Sequence, residues 1–206
     1  VNYKRVEPLY RLEKLQVQRR KRKKRDLTER YPLARPSRLN EVWPMDFFFD
    51  RTARGRTLKC LTVVDDATND AVAVIPDHSM GGLQLPRHLD QLANWRGLPR
   101  VIRSDNGPEF VGKAMLNCAH ERNVNLRQID LGKPNQNAYI ESFNGRLRDE
   151  RLSEHYFTSL DHARRVIAPW GRECNDERPK RTLGGLTPSG YAKQISQKAD
   201  TPTVIL

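Results

Sequence analysis

Two acidic residues bracket a 35-residue interval, residues 106–140, and the words around them constrain the fold more than anything else in the chain. The first is Asp105, in "VIRSDNGPEF". There the short run Arg100-Val101-Ile102-Arg103 reads as a strand that delivers Asp105 to its end, and Asn106-Gly107-Pro108 turn the chain. The second is Glu141, in "GKPNQNAYIESFNGRLRDE". Gly132-Lys133-Pro134-Asn135 make a loop that ends in helix-start residues. The helix that follows carries Glu141, Asn144 and Arg148 at i, i+3 and i+7, on one face. A third acid, Asp46, lies upstream in "VWPMDFFFD", a carboxylate among apolar residues on a strand. Two strands and a helix would thus present three carboxylates, a hard-oxygen donor set suited to Mg²⁺ or Mn²⁺. Phosphodiester cleavage and transfer is the chemistry such a set supports.

The intervening sequence places these acids on a recognisable order of elements. "VWPMDFFFDR", "TLKCLTVVDD" and "DAVAVIP" read as three consecutive strands, with Arg54-Gly55-Arg56 turning between the first two, and so as an antiparallel meander. Leu83 to Trp95 has apolar residues at helical spacing (Leu85, a gap, then Leu89, Leu92 and Trp95), with Pro86 near its start and Gly97-Leu98-Pro99 at its end. Phe110 to Arg122 reads as one further helix and Val124 to Ile129 as a fifth strand. The order βββαβαβα with a mixed five-stranded sheet is the α/β, RNase H-like architecture. After the Glu141 helix, "FTSLDHARRVIAPWGRECN" predicts an amphipathic helix, capped by Ser159 or Asp161 and kinked or divided at Pro169. "DERPKRTLGGLTPSGYAKQI" predicts a basic loop with a short helix from Thr187 onward. Trp43, Trp95 and Trp170 are expected in the core.

Charge says what kind of partner to expect. The net charge is +12 and the pI about 10.0, which points to a polyanion, most often nucleic acid. The basic run "QRRKRKKR", Gln18 to Arg25, is too charged to bury and reads as a solvated linker or a contact to DNA backbone. Before it, Tyr3, Val6, Leu9-Tyr10, Leu12 and Leu15 form a partial helical stripe. The domain reading is a basic helical remnant at 1–30, a linker at 31–41, a catalytic domain at 42–158, and a C-terminal helix with a basic loop at 159–206. Cys60, Cys118 and Cys174 are isolated, and the five histidines form no pairs with them, so neither a zinc site nor a disulfide framework is expected. No apolar run approaches 18 residues and the N-terminus lacks an apolar signal core, so the expectation is a soluble intracellular protein without a membrane span.

These words also carry a resemblance. "NEVWPMDFFFD", "CLTVVDDAT", "GLPRVIRSDNGPEF", "GKPNQNAYIESFNGRLRDERL", "HYFTSL" and "NDERPKRTLGGLTPSGY" resemble, in order and over roughly residues 1–195, the catalytic subunit of family 3 insertion-sequence transposases. That subunit is the product of the second reading frame, with a DDE core similar to retroviral integrase. The resemblance implies an RNase H-like integrase core, with the basic helical extension at its N-terminus, and a DNA transposase that cleaves DNA and transfers 3′-hydroxyl strands. Asp46, Asp105 and Glu141 would be catalytic and would hold Mg²⁺ or Mn²⁺, two ions per site, with Asp46 bridging because the first strand is central in this fold. Asn106, Gly107, Lys133, Asn135, Asn144 and Arg148 are the expected DNA contacts.

The implied partners are duplex DNA at element ends and target, further copies of the chain, and a helix-turn-helix module from an upstream reading frame. The implied location is the bacterial cytoplasm, at the nucleoid. Asp50, Asp65, Asp66 and Glu109 are expected to do other work. Three departures stand out: Ala67 where the family usually has an aromatic residue, Cys174 before Asn175 where it has tyrosine, and Lys180 where it has histidine.

Overall fold

The computed structural model describes residues 3–13, 36–130 and 137–199, and the chain divides into two compact units, Val1–Pro32 and Leu33–Leu206. In the first, α1 (Tyr3–Leu12) is a ten-residue helix with Pro8 inside it, and Tyr3, Leu9 and Leu12 are exposed. The basic run at 18–25, Leu15 and positions 31–35 of the expected linker lie outside the described residues.

The second unit is built on five strands: β1 (Val42–Arg51), β2 (Thr57–Asp65), β3 (Asp70–Asp77), β4 (Val101–Ser104) and β5 (Asn125–Gln128). Their order across the sheet is β3-β2-β1-β4-β5. β1 pairs antiparallel with β2 and parallel with β4, and β4 pairs parallel with β5. The meander and the mixed sheet are therefore both present, and the strand carrying Asp46 is central. The helices are α2 (Gln84–Arg96), α3 (Pro108–Val111), α4 (Lys113–Glu121), α5 (Ala138–Leu147), α6 (Leu160–Asp176) and α7 (Pro188–Ala199). Among the described residues no helix is long and apolar enough to cross a membrane.

Strand alternation sends side chains to opposite faces of the sheet, and each face has its own core. Trp43, Met45, Leu61 and Ile102 pack with Leu85 and Leu89 of α2 and Met115 of α4. Phe48, Leu58 and Cys60 pack on the other side with Ile140 and Phe143 of α5 and Ile167 and Trp170 of α6. The Phe143 and Trp170 rings meet at 5.0 Å between centroids. Because β2 feeds both cores, it reads in sequence as an almost unbroken apolar run.

Three expectations change. The single helix at 110–122 is broken at Gly112, whose extended backbone (φ −64°, ψ 147°) ends α3 and starts α4. A Cβ at Gly112 would lie 3.3 Å from the Pro108 carbonyl oxygen, so the break is a close backbone approach. Pro169 does not divide α6, which runs unbroken from Leu160 to Asp176. Its packing on β3, where a Cβ at Gly171 would sit 3.4 Å from Val74, and a Ser159 cap accepting from the His162 amide at 3.1 Å hold the helix together around the missing N–H. Trp95 is 62% exposed rather than core. The inward stripe Leu85, Leu89, Leu92 continues to Arg96, whose guanidinium turns in to Asp65 and Asp70, and this leaves Trp95 on the outer face. At its C-terminal end α5 passes into a π-helical turn, Arg148–Leu152.

Candidate active site

Asp46 sits midway along β1, opposite Thr62 of β2, with its carboxylate on the face that α5 covers. Its Oδ1 accepts the Phe47 amide at 2.8 Å and its Oδ2 accepts Asn144 Nδ2 at 2.8 Å. Burial pushes this carboxyl from 3.8 to about 6, and the charges of Asp105 and Glu141 push in the same direction against the two hydrogen bonds. The three acids therefore share one electrostatic neighbourhood. Among the described residues none of them is in an ion pair.

Asp105 follows the last residue of β4 and is exposed, with its Oδ1 accepting the Gly107 amide at 3.0 Å. Gly107 has an ordinary negative φ (−59°), so conformation does not require a glycine there. Crowding does: a Cβ would lie 3.0 Å from Asp105 Oδ1 and 3.4 Å from both Glu109 Oε2 and the Phe110 ring. The corner is held from two sides. Arg103 pairs with Asp66 at 2.9 Å, tying β4 to the β2–β3 turn. Glu109 pairs with Lys59 of β2, and Lys59, 7% exposed, lies over the Phe47 ring at 4.1 Å. Phe47 in turn stacks on Phe110 at 5.0 Å.

Glu141 occupies the first turn of α5 and is exposed. Arg148, also exposed, begins the π-helical turn. Asn144 departs from expectation. It is 8% exposed, and its amide is directed at Asp46 instead of outward to DNA. The helix face from Glu141 to Arg148 thus turns inward at its middle residue, because Phe143 and Leu147 on either side anchor that part of α5 in the core. Asn106 is exposed beside Asp105, and Lys133 and Asn135 lie outside the described residues.

The other acids are committed elsewhere. Asp50 accepts the Arg51 amide at 2.8 Å. Asp65 is fully buried and accepts the amides of Ala67, Thr68 and Asn40. Asp66 and Glu109 hold the cations already described. Lys59 is the residue the sequence reading passed over. A lone lysine inside the apolar run "TLKCLTVV" was the available sign, since a buried ammonium requires a partner.

By donor type and charge, the set formed by Asp46, Asp105 and Glu141 fits a divalent cation: hard oxygens, like-charge repulsion already expressed at Asp46, and no counter-ion among the described residues. As the side chains stand, no three acidic, histidine or cysteine groups among the described residues enclose an ion position.

Residues 36–134 and 111–188 each match a family described as integrase core domain. The 31.7 kDa protein of insertion element IS407 from Burkholderia multivorans is 48% identical over 201 residues, covering 98% of this chain and 73% of that protein. The 39.2 kDa protein of insertion element IS476 from Xanthomonas euvesicatoria is 46% identical over 192 residues, and there this chain spans only 56% of the relative. In structure, the chain resembles a chain of the simian T-cell lymphotropic virus intasome, solved with a PP2A regulatory subunit (TM-score 0.70, 14% identity, covering 89% of this chain and 63% of that one). It also resembles the HTLV-2 integrase catalytic core solved with magnesium (TM-score 0.60, 16% identity, covering 74% of this chain and 95% of that one). At those identities the likeness establishes the RNase H-like fold. Shared sequence, family match and fold together make this chain a member of the integrase-core transposases of bacterial insertion elements.

Proposed function

We propose that this chain is a metal-dependent polynucleotidyl transferase that cleaves DNA at the ends of an insertion element and joins the freed 3′-hydroxyls to a target strand. Asp46 carries the reading. It is a half-buried carboxylate on the central strand, pushed to about 6 by its surroundings and by two further acids from separate elements. Each Asp46 oxygen accepts one hydrogen bond, from Phe47 or Asn144, and so keeps a lone pair free. Asp46 would therefore hold divalent ions together with Asp105 and Glu141. Mg²⁺ or Mn²⁺ bound there supplies acidification of the attacking hydroxyl and neutralisation of the leaving 3′-oxygen. The magnesium in the HTLV-2 core supports the choice of ion.

This chain's own residues do the rest. Asn144 holds Asp46 in one rotamer. The Lys59–Glu109 and Arg103–Asp66 pairs hold the Asp105 corner. Arg148, Asn106 and Gly107, with Lys133 and Asn135, would meet the DNA backbone beside the scissile phosphate. Duplex DNA, at element ends and target, is the partner the +12 charge suits. The intasome likeness supports action as a multimer, and the greater length of the insertion-element relatives supports a further module, a helix-turn-helix from an upstream frame, in the working protein. The bacterial cytoplasm, at the nucleoid, is where such an activity would operate.

The deciding experiment compares the chain with Glu141→Gln on a short labelled duplex in Mn²⁺. Cleaved and joined products from the first and none from the second are expected. Cleavage without joining would make the protein an RNase H-like nuclease. DNA binding with neither reaction would make it a silent descendant that only binds.

A further inference from the structure

The helix that carries Glu141 begins without a cap of its own. Asn137 precedes α5 but makes no side-chain capping hydrogen bond, and its buried Oδ1 has no partner among the described residues. A first turn in that condition frays readily, because its amides lack acceptors. Here the turn is fastened from outside, at Tyr139, two residues before Glu141. The Tyr139 hydroxyl donates to the Asn69 carbonyl oxygen at 3.0 Å and accepts from Lys180 Nζ at 2.6 Å. Lys180 Nζ also donates to the same Asn69 carbonyl at 2.7 Å, closing a triangle of three residues from three distant parts of the chain.

Both other corners of the triangle are tied into the fold. Asn69 is buried in the β2–β3 turn with a left-handed backbone (φ 57°). Its turn is organised by the Asp65 carboxylate, which accepts from the amides of Ala67 and Thr68. Lys180 lies in the loop between α6 and α7. That loop closes on itself through the Lys180 amide to the Leu186 carbonyl at 2.9 Å and the Gly185 amide to the Lys180 carbonyl at 3.1 Å. It is also anchored two residues earlier, where Arg178 pairs with Glu150 and Glu173.

Building on the function proposed above, we propose that Lys180 is a positioning residue for Glu141. Acting through the Tyr139 hydroxyl, its ammonium fixes the first turn of α5, so that the third carboxylate reaches the site in one place. The C-terminal loop, some forty residues beyond Glu141 and carrying none of the acids, thereby becomes part of the catalytic apparatus.

The test uses the full chain with Lys180→Met, Tyr139→Phe, the double variant and the conservative Lys180→Arg. Amide hydrogen exchange is measured without metal or DNA, and Mn²⁺-dependent cleavage and DNA affinity are measured alongside. In Lys180→Met and Tyr139→Phe, exchange at residues 141–144, whose amides bond back to the carbonyls of the opening turn, should rise about tenfold while α6 is unchanged. The Mn²⁺ concentration for half-maximal cleavage should rise roughly five- to tenfold at unchanged DNA affinity. The double variant should be no worse than either single one, and Lys180→Arg should recover most of the loss.

Parental exchange at 141–144 in Lys180→Met would overturn the proposal. So would exchange raised evenly through the whole chain, which would make Lys180 a general stability residue. Loss of DNA affinity with a shallower salt dependence and parental exchange would make it a phosphate contact instead. If the parent shows no Glu141-dependent cleavage, the proposed function fails, and the exchange measurement still decides whether the clamp exists.

Discussion

At the scale of single residues, Asp46 is held in a state that favours its proton. The folded chain binds that proton more tightly than the unfolded chain does, with a carboxyl at about 6 against the ordinary 3.8. Stability from this group is therefore greatest at low pH, declines as pH rises between about 4 and 6, and is fully lost above that window. The size is on the order of 3 kcal/mol. In urea unfolding with chelator present, Asp46→Asn should stabilise the chain at pH 8 relative to the parent and lose most of that advantage near pH 4. An unchanged difference between the two pH values would remove Asp46 as the cause. Asn144 tests the same site from its partner's side. Asn144→Ala should slow cleavage about tenfold or more and leave DNA affinity as it is, since the amide touches Asp46 and faces away from solvent. The sequence placed Asn144 on the Glu141 face by its spacing. It could not tell that the face turns inward there, because that depends on how deeply Phe143 and Leu147 seat.

Elements explain which parts of the fold could be read in advance. β1, β2 and β3 are long, apolar and separated by turn residues, so their pattern was legible. α2 and α6 were legible as well, with Ser159 capping α6 as its position suggested. The break at Gly112 and the continuity through Pro169 were not: the first turns on a close approach to the Pro108 carbonyl four residues back, and the second on packing against β3. Two substitutions separate local from distant effects. Ser159→Ala should cost about 1 kcal/mol of stability and leave cleavage untouched, as measured by thermal melting beside the duplex assay. Gly107→Ala should do the reverse. Its backbone angles accept alanine, but the new Cβ would press on Asp105 Oδ1 at 3.0 Å. Cleavage should fall at least tenfold with the melting temperature within a few degrees of the parent. Lys59 belongs to this scale too, as a β2 residue whose partner lies on α3. Lys59→Met would leave Glu109 without its cation and should cost roughly 1–3 kcal/mol.

For the whole molecule, charge governs the approach of DNA and the sheet governs what happens next. Affinity for duplex DNA should fall linearly on a logarithmic salt scale, and Arg148→Ala should lower that slope by about one. An unchanged slope would show that Arg148 does not touch phosphate. The RNase H-like plan was legible because the order of elements and the spacing of three acids are properties of sequence. The two salt bridges around Asp105 and the Lys180 triangle were not, because they join residues that only the fold brings together. That plan divides the three acids unequally. Asp46 lies on a strand bonded to neighbours along both edges, whereas Asp105 lies just past a four-residue strand and Glu141 on the opening turn of a helix. Warming or mild denaturant will therefore disperse the acids while the sheet is still whole. A population of such molecules can look folded by every bulk measure and still be switched off, and for a chain with the function proposed above this separates being present from being dangerous.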